Sequence, residues 1–160
     1  MNAMATKLPA SSSPLQHLAR ASEAVWVPLG NGKAFKPLAF FADDRGFVEL
    51  LRLDPGVEIP LHRHTGEVHA YNLAGSRRLH TGEIIGPGSY VYEPVGNTDS
   101  WSVHGEETLI VMVVVMGAVE YLDRNSGAVT KRYTASTLRE LYLQHCAANG
   151  LPVSAALDVA

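Results

Sequence analysis

A chain of 160 residues has the length of one domain and can bury about two thirds of the surface that it exposes when unfolded. The formal net charge of -3, with histidine neutral, excludes the basic footprint of a nucleic-acid-binding protein. Cys146 is the only cysteine, which excludes an intrachain disulfide and favours a reducing, cytoplasmic compartment.

Taken in order, the chain begins with a tail and continues as short strands. Residues 1–22 are expected to form a tail, and their Ser- and Ala-rich start has no apolar segment of the secretory type. Apolar or alternating runs, separated by Gly, Asn, Asp and Pro turn signals, predict the first strands. These strands are expected at residues 26–29, 35–41, 47–53 and 57–64.

The second half of the chain continues the strands and ends with one helix. Further strands are expected at residues 68–79, 89–93, 109–121 and 128–133. Leu138, Leu141 and Tyr142 share one face of a helix predicted over residues 134–148, and Gly150 is a signal for its end.

These elements divide the chain into three parts. We expect a tail at 1–22, an all-β barrel at 23–134, and a C-terminal helix and tail at 135–160. The apolar run 109–116 is too short to span a bilayer as a helix, so no membrane contact is expected. Together with the aromatic segment 35–41, this run is more apolar than one small barrel easily hides. The sequence therefore predicts a homodimer or a higher homo-oligomer.

Three histidines within eight residues are the clearest chemical signal in the chain. His62 and His64 lie two positions apart, so an extended strand points both imidazoles to the same side, roughly 6.5–7 Å apart. Two neutral imidazoles on one face can bind one divalent metal ion. We therefore interpret them as metal ligands and not as exposed histidines at a strand edge.

Two segments with regular Gly and Pro spacing resemble the signature motifs of the cupin superfamily. The matching residues are Gly56, His62, His64 and Gly75 in the first segment, and Gly88, Pro94 and Gly96 in the second, which is followed by Asp99. The resemblance covers about residues 26–122 and implies a jelly roll, also called a double-stranded β-helix, with the metal ligands pointing into the barrel. In that superfamily the first motif supplies two histidines and a glutamate, and the second supplies a third histidine.

Two ligand positions depart from the superfamily pattern. Counted from His64, the glutamate position holds His69, and the histidine position of the second motif holds Asp99. The exchange keeps three imidazoles and one carboxylate, so His62, His64, His69 and Asp99 are the predicted ligands. Counted backwards from Gly75, the glutamate position instead holds Val68, and a slip of one residue turns every side chain to the opposite face.

Other roles stay open for several of these residues. Glu67 replaces His69 as a ligand if the turn before it bulges, and His104 is an alternative ligand near the barrel mouth. Asp99 is also suited to capping a turn, through side-chain bonds to nearby backbone.

A substrate pocket is expected beside the metal. On a regular strand Tyr71 and Leu73 share the face of His69, and Trp101 shares the face of Asp99. These three side chains are therefore predicted to form the pocket walls. One of the adjacent pair Arg77 and Arg78 must face outward, and the other is a candidate for binding an anion.

Within the superfamily, residues 62–71 and 88–96 resemble the 2,4'-dihydroxyacetophenone dioxygenase group and, more loosely, acetylacetone-cleaving enzymes. This resemblance implies a mononuclear iron(II) enzyme that cleaves a carbon–carbon bond of a small hydroxyketone or β-dicarbonyl compound with O2. Zinc, nickel and manganese are alternative metals. The alternative functions are a non-catalytic metal-binding cupin that senses or stores a small ligand, and a zinc- or manganese-dependent isomerase or hydrolase.

Overall fold

The structure is a computed structural model that describes residue 20 and residues 24–160. Apart from Arg20, the predicted tail 1–22 lies outside the described residues. In chain order the strands are β1 (Val27–Gly30), β2 (Lys33–Phe41), β3 (Gly46–Leu53), β4 (Glu58–His64), β5 (Val68–Ala74), β6 (Ser76–Leu79), β7 (Ile84–Ile85), β8 (Tyr90–Glu93), β9 (Thr98–His104), β10 (Leu109–Met116), β11 (Val119–Leu122), β12 (Val129–Tyr133) and β13 (Asp158–Val159). One α-helix, α1 (Ala135–Asn149), follows β12, and short 3-10 turns lie at Ala42–Asp44 and Ala155–Leu157.

The strands form two facing sheets that enclose one barrel. The first sheet has the order β1-β2-β3-β10-β5-β8, with β13 running parallel beside β2. The second sheet has the order β12-β11-β4-β9-β6-β7. Consecutive strands such as β3, β4, β5 and β6 alternate between the sheets, which is the topology of a jelly roll. The predicted all-β jelly roll with a C-terminal helix is confirmed.

The C-terminal helix covers one end of the first sheet. Thr134 caps its N-terminus in a reciprocal pair of hydrogen bonds with Thr137, and Gly150 ends it in a left-handed conformation. Tyr142 and Cys146 on its buried face join the core cluster that contains Phe40. The single cysteine is thus a fully buried packing residue.

Two predicted strands are each divided by a glycine that moves the chain from one sheet to the other. The run 68–79 breaks at Gly75 into β5 and β6, and the run 109–121 breaks at Gly117 before β11. Both glycines have positive φ, 66° at Gly75 and 73° at Gly117. A Cβ at Gly75 would lie 2.6 Å from the carbonyl oxygen of Thr108, so no other residue fits this corner without a shift of the backbone.

The sequence prediction also missed strands. Residues Thr98–His104 form β9 in the middle of the second sheet, and Ile84–Ile85 form its short edge strand. The serines and other polar residues of β9 obscure its alternation of inward and outward side chains, although Asp99, Trp101 and Val103 all point inward. Within the described part of the chain, no helix combines the length and the apolar character that crossing a membrane requires.

The division at Gly75 can be tested against Gly56, which also has a positive φ, of 77°, but no atom near its Cβ position. Gly56→Ala should cost about 1 kcal/mol, the strain of a left-handed alanine. Gly75→Ala should cost about 2 kcal/mol more, because the added methyl group also overlaps the backbone of Thr108. Denaturant unfolding of both variants measures the difference, and equal losses of stability would contradict this account of the corner.

Candidate functional site

A cavity of about 330 Å³ lies between the two sheets. Its walls are mostly apolar side chains of both sheets, including Phe47, Leu51, Ile59, Val111 and Val113. Polar residues enter it at a small number of places. Such a cavity has the size and the lining of a site for a small organic ligand.

Strand β4 places two imidazoles in this cavity. His62 and His64 are buried and line it, while Arg63 between them points outward and pairs with Glu120. The two rings lie 4.9 Å apart between centroids and nearly perpendicular. The predicted same-face arrangement of His62 and His64 is therefore present, and their role as metal ligands stays a prediction.

The hydrogen-bonding partner of His62 fixes its tautomer. Nδ1 of His62 lies 2.8 Å from the carbonyl oxygen of Pro60, which can only accept, so Nδ1 carries the proton. Burial is the main cause that lowers the pKa of His62, with the neighbouring His64 adding to it. His62 is thus a neutral imidazole with a free Nε2 lone pair, the form in which histidine binds metals.

Glu93 completes a buried cluster with the two histidines. Nε2 of His64 lies 3.1 Å from Oε2 of Glu93, and both side chains are nearly inaccessible. Burial alone would raise the pKa of Glu93, but the hydrogen bond from His64 and the charges of His64 and Arg77 lower it overall. Glu93 is therefore an ionised carboxylate inside the cavity. Nδ1 of His64 is buried and makes no hydrogen bond within the described residues.

Arg77 adds a cation to the same end of the cavity. It is 4% exposed, lines the cavity, and lies over the ring of Trp101 at 5.1 Å from the centroid. Burial lowers its pKa, against the opposing charges of Glu93 and Asp99. Its Nε and Nη2 atoms are buried without a hydrogen-bond partner in the described chain. Arg78, its neighbour, points outward and contacts His104.

His69 lies on the outside of the barrel. Val68 and Ala70 line the cavity, so the alternation of β5 turns His69 to the opposite face. There Nδ1 of His69 hydrogen-bonds the hydroxyl of Tyr90 at 2.7 Å, and Glu67 lies 3.6 Å from its Nε2. The expectation that His69 faces the metal is therefore corrected. The count backwards from Gly75, which makes Val68 the inward residue, describes this strand.

The same correction applies to two of the expected pocket walls. Tyr71 and Leu73 share the outer face of β5 with His69 and are 40% and 48% exposed. Glu67 also stays outside, where it accepts a hydrogen bond from Tyr92 at 3.3 Å. Trp101 does line the cavity.

Asp99 is buried but bound to other partners. It lies opposite His62 in the pairing of β4 with β9. Its Oδ1 accepts hydrogen bonds from Nδ1 of His80 and, at 2.7 Å, from the backbone N–H of Ser100. The bond to Ser100 lies within strand β9, and the alternative role of Asp99 as a turn cap stays a prediction. His104, the other alternative ligand, contacts Arg78 away from the cavity lining.

The four predicted ligands are therefore not brought together. Within residue 20 and residues 24–160, no group of three or more His, Cys, Asp or Glu side chains is arranged to hold a metal ion as it stands. The donor chemistry at the cavity nevertheless fits one, because two imidazoles and the carboxylate of Glu93 are the donor set of non-heme iron(II) sites. Nδ1 of His64, which is buried and has no hydrogen-bond partner in the described chain, is a nitrogen donor that a metal could use.

A further ionisable group enters the cavity from strand β3. Glu49 points inward between Phe47 and Leu51, and its Oε2 atom is buried without a hydrogen-bond partner in the described chain. Burial raises the pKa of Glu49 from 4.5 to about 8. Tyr121 and Tyr133 line the cavity from the second sheet. Burial, together with the neighbouring Tyr133 and Glu49, raises the pKa of Tyr121. The sequence prediction did not include Glu49 or Glu93. The available signal was that each is a single charged residue on a face with apolar neighbours, Phe47 and Leu51 for Glu49 and Val91 for Glu93.

Comparison with known proteins gives a family match and several similar folds. A family model described as the ChrR cupin-like domain matches residues 15–120. A search of curated protein sequences gave no match. An RmlC-like cupin protein from Ralstonia eutropha has a TM-score of 0.79 and 25% identity, covering 86% of this chain and 90% of that one.

Two further solved structures share the fold at lower identity. An acetylacetone dioxygenase from Acinetobacter johnsonii has a TM-score of 0.68 and 15% identity, over 90% of this chain and 99% of that one. The anti-sigma ChrR complex with SigE from Rhodobacter sphaeroides has a TM-score of 0.50 and 20% identity, over 60% and 50%. These likenesses confirm the predicted cupin resemblance at the level of the fold.

The raised pKa of Glu49 makes stability depend on pH in a defined direction. An unfolded glutamate loses its proton near pH 4.5, whereas folded Glu49 keeps it to about pH 8. The folded state thus binds more protons between these values, and Glu49 lowers the free energy of unfolding as the pH rises through this window. Glu49→Gln removes the titration, so the stability of the variant relative to the wild-type protein should rise from about pH 5 to about pH 8.

Denaturant unfolding across this pH range measures the effect. Glu58→Gln, at an exposed position of β4, is the matched control and should follow the wild-type curve. Parallel curves for Glu49→Gln and the wild-type protein would show that Glu49 titrates normally.

Proposed function

The chain belongs to the ChrR cupin-like domain family, and on that premise we propose that it is a metal-dependent dioxygenase. Its substrate is a small β-dicarbonyl compound or hydroxyketone that binds in the barrel cavity, and the reaction cleaves a carbon–carbon bond with O2. The observation that carries the proposal is the buried cluster of His62, His64, Glu93 and Arg77 at one end of an apolar cavity.

Each residue of this cluster has a separate task. His62, through its free Nε2 atom, and His64 would hold the metal together with the carboxylate of Glu93. Iron(II) bound there would supply Lewis-acid and electron-transfer chemistry for the substrate and O2. Zinc, nickel and manganese suit the same donors and are alternative metals for the site.

Arg77 supplies the charge that an anionic substrate needs. A β-dicarbonyl compound binds most readily as its enolate, whose negative charge is costly in an apolar cavity without a partner. The unpartnered Nε and Nη2 atoms of Arg77 can donate to an enolate oxygen. Trp101 beneath the guanidinium holds it in place, and the apolar walls exclude water from the bound ligand.

A non-catalytic metal-binding cupin, which senses or stores a small ligand, is the second candidate. The observation that favours it is Asp99, which takes the place of the expected histidine and is bound to His80 instead. The metal would then have one protein ligand fewer than the superfamily pattern implies. A homodimer or higher oligomer stays a prediction, which the exposed Tyr90 and Tyr92 on the outside of β8 support. A cytoplasmic location also stays a prediction.

Metal content distinguishes the inner histidines from the outer one. After reconstitution with iron(II), His62→Ala and His64→Ala should bind almost no metal, because each loses a ligand from a set of three. His69→Ala is the matched control and should keep wild-type metal content, since His69 lies on the outer face. Elemental analysis of the desalted proteins measures the outcome, and loss of metal in His69→Ala alone would move the site to the outer face.

Oxygen consumption tests the reaction itself. The iron-loaded protein should take up O2 when a β-diketone such as acetylacetone is added. Arg77→Met should lower the rate at limiting diketone about tenfold or more, because it removes a charge-assisted hydrogen bond. Arg78→Met changes the exposed neighbour and should leave the rate unchanged. A panel of β-diketones and hydroxyketones that elicits no uptake from metal-loaded protein would favour the non-catalytic cupin.

A further inference from the structure

Glu49 is a polar group that the proposed reaction does not use. It lies on the inner face of β3, where its neighbours on the strand, Phe47 and Leu51, are apolar. Its Oε2 atom is buried and has no hydrogen-bond partner in the described chain. A buried carboxyl oxygen without a partner destabilises the folded protein, so its presence in a cavity wall requires an explanation.

The sheet order separates Glu49 from Glu93, the carboxylate of the histidine cluster. Glu93 is on β8, and strands β5 and β10 lie between β8 and β3 in the first sheet. Three strand spacings separate the two carboxyl-bearing strands, which corresponds to about 14 Å across the sheet. Both residues line the same cavity. The cavity therefore has two polar ends with apolar side chains such as Val113 and Ala70 between them.

We propose that Glu49 is a second binding subsite, which hydrogen-bonds a hydroxyl group at the end of the ligand that lies away from Glu93. The ligand is then an elongated, mostly apolar molecule with a dicarbonyl or hydroxyketone group at one end and a hydroxyl group at the other. This inference rests on the proposed function for the chemistry of the first end.

The surroundings of Glu49 favour a neutral hydroxyl over a charged group. Tyr121 and Tyr133 face the cavity from β11 and β12. Two cationic residues, Lys33 and Lys131, also line the cavity. The two lysines disfavour a cationic ligand group. A carboxylic acid held in its protonated form offers one donor and one acceptor, which is the pattern that a hydroxyl group complements.

Binding of two matched probes tests the subsite. Benzoylacetone and 4-hydroxybenzoylacetone share the dicarbonyl end and differ in a single hydroxyl group on the ring. Calorimetry under anaerobic conditions, with the 160-residue chain in one metal state throughout, gives both dissociation constants. The wild-type protein should bind the hydroxylated probe about threefold to tenfold more tightly, the range expected of one additional hydrogen bond.

Two variants assign this preference to Glu49. Glu49→Leu should abolish it, because leucine fills a similar volume without a polar atom. Glu49→Gln should keep it, because an amide also donates and accepts. Thermal unfolding of each variant without ligand verifies that it is folded. A preference that survives in Glu49→Leu would overturn the subsite.

The remaining outcomes separate the subsite from the proposed function. Equal affinity of the wild-type protein for the two probes would overturn the subsite and leave the dicarbonyl site standing. Failure of both probes to bind would overturn the subsite and the proposed ligand class together. Tighter binding of 4-aminomethylbenzoylacetone than of the hydroxylated probe would show that Glu49 receives a cation, which contradicts the proposed hydroxyl.

Discussion

The hydrogen bond between His64 and Glu93 connects the two sheets inside the barrel, and the candidate site depends on it. His64 belongs to the second sheet and Glu93 to the first, and their 3.1 Å contact is almost fully buried. A carboxylate at such a depth is stable only with charged or hydrogen-bonding partners, which His64 and Arg77 provide. Removal of one member leaves the others uncompensated, so this end of the cavity has to keep its polar residues as a set while the apolar walls set its volume.

The sequence predicts the parts of this site that depend on local chemistry. The strand alternation around His62 and His64 and the Gly and Pro turns are local features, and they placed both imidazoles in a jelly roll correctly. Glu93 depends on a non-local contact. Alternation over Tyr90–Glu93 separates the tyrosines from Glu93, but only the position of β8 against β5 decides which of the two faces the cavity. The pairing of Asp99 with His80 is likewise formed by segments that the sequence does not place together.

The misplaced face of β5 has a more specific cause. Counting from His64 to His69 crosses the turn between β4 and β5, and the chain moves there from one sheet to the other. Strand alternation does not continue through such a turn, so a count across it has no fixed parity. Counting from Gly75 stays within one strand and gives Val68 as the inward residue, as the structure has it. His69 therefore belongs to the outer surface, with Tyr90 as its partner.

The cost of the polar groups in the cavity bears on what the cavity is for. Arg77 and Glu49 each present buried polar atoms that no described residue satisfies, on opposite sheets of one mostly apolar cavity. Each such atom costs about 1–3 kcal/mol, a large share of the few kcal/mol by which a domain is stable. Packing does not require either group, since apolar residues of the same size would fill both positions. A ligand that hydrogen-bonds both groups offsets this cost only in the bound state, so binding and folding stability are linked through the same two side chains.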